Sequence, residues 1–171
     1  MRNKMVAAIL TLGVFTTTSS LAWSDEDEAS GAAVAKYLPT AKVTLQQGLT
    51  AAESHGKPIS GKFEVDDGHF QLSVYTVQNG KFSEVLVDQS TGKVAKSEAI
   101  TDGADLAHAQ SQMEACSKSR TSLKAAVDRA ELAYPGYRAV SVTPAISKGH
   151  PVAVVALVQG SQSRSIAESL E

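Results

Sequence analysis

The sequence predicts an α+β fold made of two repeated units, each a helix packed on a small antiparallel β-sheet. Three observations carry this. A helical apolar stripe precedes runs of β-type residues, Asn79-Gly80 marks a tight hairpin between two of those runs, and the same order of stripe and runs returns in the second half of the chain.

The N-terminus stands apart from that pattern. Arg2 and Lys4 precede an apolar run from Met5 to Phe15, and Ser20 with Ala22, or Ala22 with Ser24, offers small residues for cleavage. This is the layout of a secretory signal peptide. The run is shorter than the roughly 20 apolar residues that cross a bilayer. Residues 1–22 are therefore expected to be removed, and the remainder to work in the periplasm or outside the cell with no membrane anchor after processing. Cleavage after Ala22 leaves 149 of the 171 residues, with 14 basic against 18 acidic side chains and a net charge of about −4. Nucleic-acid binders concentrate Lys and Arg to displace counterions, so nucleic acid is excluded as a partner. A single cysteine, Cys116, forbids an internal disulfide, and the fold must rest on its core.

Residues 23–42 open with Asp25-Glu26-Asp27-Glu28 and continue in Ala, Ser and Gly with little periodic apolar pattern. They read as a solvated, flexible acidic arm. The first unit spans residues 43–98. Leu45, Gly48, Leu49 and Ala52 form a helical stripe that Thr44 can cap and His55-Gly56-Lys57-Pro58 ends. Lys62 to Val65 and Phe70 to Val77 are extended runs around Asp66-Asp67-Gly68-His69, and Asn79-Gly80 returns the chain through Lys81 to Asp88. In the middle run Phe70, Leu72 and Val74 alternate with Gln71, Ser73 and Tyr75, so one face is apolar and the other polar.

Residues 99–120 read as a helical linker. From Leu106 the spacing of Ala109, Met113 and Cys116 follows one helical face, which places the thiol among apolar neighbours as an inert core group. The second unit spans residues 121–171. Leu123, Ala126, Val127 and Ala130 repeat the internal spacing of the first stripe, Tyr134-Pro135-Gly136-Tyr137 stops that helix, and extended runs follow at Ala139 to Ile146 and Pro151 to Val158. The run from Val152 to Val158 is apolar at nearly every position, the mark of a strand buried on both faces. This predicts that the two units pack as one body. Ser161 to Ser165 reads as a polar loop or a frayed edge strand.

Val87-Asp88-Gln89-Ser90-Thr91-Gly92-Lys93-Val94, closing a helix and hairpin, resembles the signature of the PepSY domain family. The resemblance covers residues from about Val43 to Ser97 well and from about Thr121 onward in degenerate form, without the Asp-x-x-Thr-Gly-Lys-Val turn. It implies a cystatin-like layout of helix on antiparallel sheet, as found in propeptides of thermolysin-like metallopeptidases and in free-standing secreted modules. By analogy with propeptides it implies a protein or peptide partner, with a peptidase that is inhibited or regulated as the leading candidate. The motif itself has a structural basis: Asp88 and Thr91 can bond the turn backbone, and Gly92 supplies a positive φ.

No His-Glu-x-x-His, Gly-x-Ser-x-Gly, Walker loop, Gly-x-Gly-x-x-Gly or Cys-x-x-Cys occurs, so no catalytic or cofactor-binding residue is expected. His69 and His150 follow turn glycines at matching places, with Asp66 and Asp67 beside the first. Ser147-Lys148 stands where the second pair of carboxylates would be, and no metal site is expected. Two functions remain: a non-enzymatic binding module that regulates a peptidase, and an envelope sensory or accessory subunit for a small ligand or envelope protein. For the first, Gln71, Ser73 and Tyr75 are the candidate partner-binding residues, because tyrosine among polar neighbours suits an interface. The alternative is that the second unit covers this face.

Overall fold

A computed structural model describes residues 25–171 of the chain. The signal-peptide reading of residues 1–22 lies outside them. Four helices, α1 (Asp25–Tyr37), α2 (Leu45–Ala52), α3 (Gly103–Ser117) and α4 (Leu123–Ala133), accompany seven strands. These are β1 (Lys57–Asp66), β2 (His69–Gln78), β3 (Lys81–Val87), β4 (Val94–Ile100), β5 (Arg138–Ser147), β6 (His150–Gln159) and β7 (Gln162–Ser169). All seven join in a single antiparallel sheet of order β4-β3-β2-β1-β5-β6-β7. The fold is α+β, but the expected pair of small sheets is one continuous sheet. Its seam is the β1–β5 contact, where Gly61 pairs with Val142 and Lys62 with Ser141.

Local chemistry explains the elements. Thr44 and Gln47 form a reciprocal capping box at the start of α2, at 3.2 and 2.8 Å. Ser122 caps α4 through the Ala125 N–H at 3.2 Å. Asn79-Gly80 turns with both residues at positive φ, as the hairpin reading requires. β1, β2, β5 and β6 run a residue or more beyond their expected limits, most of all β1, which begins at Lys57 straight after Gly56, whereas β3 ends at Val87, one residue short of the expected Asp88. The ladder breaks register between Pro58 and Ser60, and again 81 positions on between Ala139 and Ser141.

One face of the sheet packs on α2 and α4. Leu45, Leu49, Ala52, Leu72, Val74 and Val85 are buried with Leu123, Val127, Ala130, Val142, Val155 and Leu157 in one core. The expectation that residues 23–42 form a flexible arm is corrected here. The segment is helical from Asp25 to Tyr37 and turns once more over Leu38–Thr40, with Val34, Leu38 and Ala41 buried. Tyr37 stacks on Phe70 at 6.0 Å and Phe70 on Phe63 at 5.5 Å, while Arg138 donates to the carbonyls of Leu38, Ala41 and Val43. Those aromatic and carbonyl contacts are long-range, so no local periodicity announces them.

The segment read as a linker is also part of the body. α3 lies against β1, β5 and β6, where Ala109, Ala115 and Cys116 are buried. A break at residues 118–122 separates α3 from α4.

Candidate functional site

The sheet face opposite α2 carries Ser60 and Lys62 of β1, Gln71, Ser73 and Tyr75 of β2, and Glu84 of β3, placed by the alternation and register of the ladder. Leu72 and Val74 point the other way and are fully buried, as the alternation required. The three residues singled out by sequence do share this face, and each is engaged within the chain. Gln71 Nε2 donates to Glu64 Oε1 at 3.1 Å, the buried Ser73 hydroxyl donates to Glu84 Oε1, and the Tyr75 hydroxyl donates to Asp105 Oδ1 at 2.9 Å. Burial, then the hydrogen bond to Asp105, pushes the Tyr75 hydroxyl well above the usual tyrosine range, so it is neutral at every physiological pH.

α3, and not the second unit, covers part of this face. Its Gln112 accepts from Ser60 Oγ at 2.7 Å, and a cleft of about 140 Å³ remains between helix and sheet, lined by residues that include Tyr75, Asp105, His108 and Thr143. Sequence reasoning missed Asp105, His108 and Gln112 as companions of Tyr75. The signal that could have found them is the polar side of the same helix whose apolar stripe located Cys116. Beyond α3 the face opens into a shallow groove lined by Glu84, Glu98, Asp102 and Asp105.

The thiol of Cys116 is buried and reaches the Ile59 carbonyl at 3.8 Å, and burial raises its pKa. It belongs to the packing, as its helical spacing implied. His69 and His150 open the second strands of the β1–β2 and β5–β6 hairpins. Because β1 and β5 run antiparallel, those hairpin turns sit at opposite ends of the sheet, and the two imidazoles cannot share an ion. His150 Nδ1 instead lies 2.8 Å from Glu171 Oε1.

At the other end of β3, Asp88 organises the turn into β4. Its Oδ1 accepts from the Thr91 hydroxyl at 2.8 Å and from the backbone N–H groups of Thr91 and Ser90 at 2.7 and 3.0 Å. The Thr91 hydroxyl first, then the two backbone donors, holds the Asp88 carboxyl below its ordinary pKa. Gly92 closes the turn at φ +72, a left-handed conformation that a side chain would strain. Next to it the Gln89 carbonyl accepts from Lys42 and Val43, fixing the entry to α2.

A family model described as "Peptidase propeptide and YPEB domain", PepSY, matches residues 42–98, about a third of the chain. The match runs from the entry to α2 into β4, ending two residues before that strand does, and includes the Asp88 to Gly92 turn. No curated protein and no solved structure matches the chain.

Proposed function

We propose that the chain is an exported, non-enzymatic module of two PepSY-like units that binds a protein or peptide partner and regulates a peptidase. The observation that carries this is the family match over residues 42–98, since the matched domain is named for the propeptide and not for the peptidase it accompanies. The second unit is supported by internal geometry. The register breaks in β1 and β5 lie 81 positions apart, and so do the paired residues Gly61 and Val142 at the seam. The Leu170 carbonyl accepts from Arg120 and Thr121 just as that of Gln89 accepts from Lys42 and Val43. Export is supported by the layout of residues 1–22.

The partner surface in this reading is the open part of the sheet face that bears Gln71, Ser73 and Tyr75. Ser73, only 1% exposed, acts by holding Glu84, while Gln71 and Tyr75 keep exposed area for contact. The test has two parts. Titrated against a panel of thermolysin-like metallopeptidases acting on a fluorogenic peptide, the purified chain lowers the rate of at least one at near-stoichiometric ratio; no effect on any of them defeats the peptidase assignment. Tyr75→Ala then weakens that complex by roughly 1 kcal/mol or more with little change in melting temperature. A large drop in melting temperature with affinity per folded molecule unchanged assigns Tyr75 to the α3 packing alone.

A further inference from the structure

A second surface stands out at the far edge of the sheet. The Tyr134-Pro135-Gly136-Tyr137 turn after α4 is closed by the Tyr137 N–H on the Tyr134 carbonyl at 3.1 Å, and sets the two rings edge to face with centroids 6.2 Å apart. The guanidinium of Arg164, on β7, lies over both rings at 5.3 and 5.4 Å. Its Nε donates to the Tyr137 hydroxyl at 3.1 Å, and that hydroxyl donates to Gln162 at 2.7 Å.

Tyr134 and Tyr137 are half-buried against the core, and three features give the cluster more than a packing role. Among the described residues, the two terminal nitrogens of Arg164 have no hydrogen-bond partner and the side chain has no carboxylate, unlike Arg129, which pairs with Glu168, and Arg138, which bonds three carbonyls. The guanidinium therefore presents an open, planar fork, held in place by the rings before any ligand arrives. The corresponding turn after α2 ends its helix with Gly56 and a 3-10 turn, and no aromatic or cation stacking. Helix termination on this sheet does not need the cluster. Finally, β7 is an outermost strand, so one side of its backbone is unpaired among the described residues. The opposite edge, β4, is guarded by a Lys96–Glu98 pair at 2.7 Å that neutralises its own charges.

We propose that the β7 edge and the Tyr134–Tyr137–Arg164 cluster form a docking site for an extended acidic segment of a protein partner. The segment pairs its backbone with β7 and sets an Asp or Glu carboxylate against the fork of Arg164. The fork geometry matches a carboxylate bidentately, and edge pairing supplies sequence-independent hydrogen bonds. A lone guanidinium without a second cation or a nest of N–H groups is a poor phosphate site, which favours the peptide.

Panning a random-peptide phage library against the purified chain, in parallel with Arg164→Gln, tests this. Enriched peptides are expected to carry Asp or Glu among β-branched residues, and a synthetic copy of one should bind Arg164→Gln about tenfold or more weakly, with the wild-type complex weakening as salt rises. No enrichment, enrichment without acidic residues, equal binding to both chains, or displacement by millimolar inorganic phosphate would each overturn the site. If Arg164→Gln lowers the melting temperature, Arg164→Lys is read instead, since it keeps the charge and loses the fork: a clear loss of affinity supports the proposal and an unchanged one overturns it. The inference rests on the reading of the chain as a protein-binding module but uses a different surface, so peptides that bind regardless of Arg164 sink this site and leave that reading standing.

Discussion

At the scale of single residues, burial and hydrogen bonding separate side chains that composition alone would treat alike. Cys116 is the only thiol, and its raised pKa follows from burial, which leaves little thiolate at neutral pH. Cys116→Ser should cost roughly 1–2 kcal/mol in a denaturant titration, because the shorter hydroxyl cannot span the 3.8 Å at which the sulfur meets the Ile59 carbonyl, and partner binding should be unchanged. Ellman's reagent should modify the native thiol only as fast as the fold opens; rapid stoichiometric reaction would contradict the packing. Asp88 behaves oppositely. Its folded pKa is depressed, so its contribution is present above the unfolded value of 3.8 and is lost as pH falls through the lower folded value. Asp88→Ala should lower the melting temperature at pH 7, and the gap from wild type should close as the pH is taken below that window. A gap that persists in acid would mean that the carboxylate is not what holds the turn. The turn role of Asp88 was legible in the sequence because its partners lie within three positions; the helical spacing placed Cys116 on the inner side of α3, but Met113 of the same stripe is exposed and the carbonyl the thiol meets is 57 positions away. The partners of Tyr75 were not legible, since Asp105 is 30 positions away.

At the scale of elements, strands and capped helices were readable and the helices that dock by long-range contact were not. Period-two alternation, Asn79-Gly80, Thr44 and Ser122 are local signals, and β2, β3, α2 and α4 follow from them. The end of α1 is held by Phe70 stacking on Tyr37 and the turn after it by Arg138, both from strands distant in sequence, and α3 shows only three buried side chains along fifteen residues. The α2–sheet contact is close enough to be tested by one methyl group. A Cβ at Gly48 would fall inside the van der Waals radius of Leu72 Cδ2, with Cγ at 2.9 Å, and Leu72 is fully buried and has nowhere to move. Gly48→Ala should therefore destabilise by roughly 1–3 kcal/mol, although alanine is favoured over glycine in a helix by about 1 kcal/mol. Stabilisation in urea titration would show that α2 stands farther from the sheet. In α4 the matching position is already Ala126, buried without such a clash, so the close approach belongs to α2 alone.

At the scale of the whole molecule, the chain behaves as one body because β1 and β5 share a ladder and the helices cross the seam. Gln46 of α2 donates to Asp128 and Glu131 of α4 at 3.0 and 2.8 Å, Lys124 of α4 reaches Thr50 and Glu53 at 3.2 and 2.6 Å, and Arg138 of β5 holds the carbonyls before α2. The unbroken apolar run of β6 was the sequence's hint of this union. It has a different cause from the one expected: α4 covers one face of β6 and α3 reaches the other, so neither face depends on a second sheet. A fragment of residues 120–171 would lose β1, α2 and α3 together. Val142 and Val140 would be left on a new edge strand, Ala156 would lose its cover, and Arg138 would have no carbonyls to bond. Such an edge of unpaired backbone beside exposed valines favours association over folding. The full chain should accordingly melt in a single cooperative transition by circular dichroism, whereas the fragment should bind a hydrophobic dye, sediment as oligomers and show no sharp thermal midpoint. Because hairpins β5–β6 and β6–β7 remain intact in the fragment, it should still show β-type secondary structure without fixed packing. A monomeric fragment with its own cooperative melt would mean that residues 120–171 fold as an independent domain and that the β1–β5 seam joins two finished bodies.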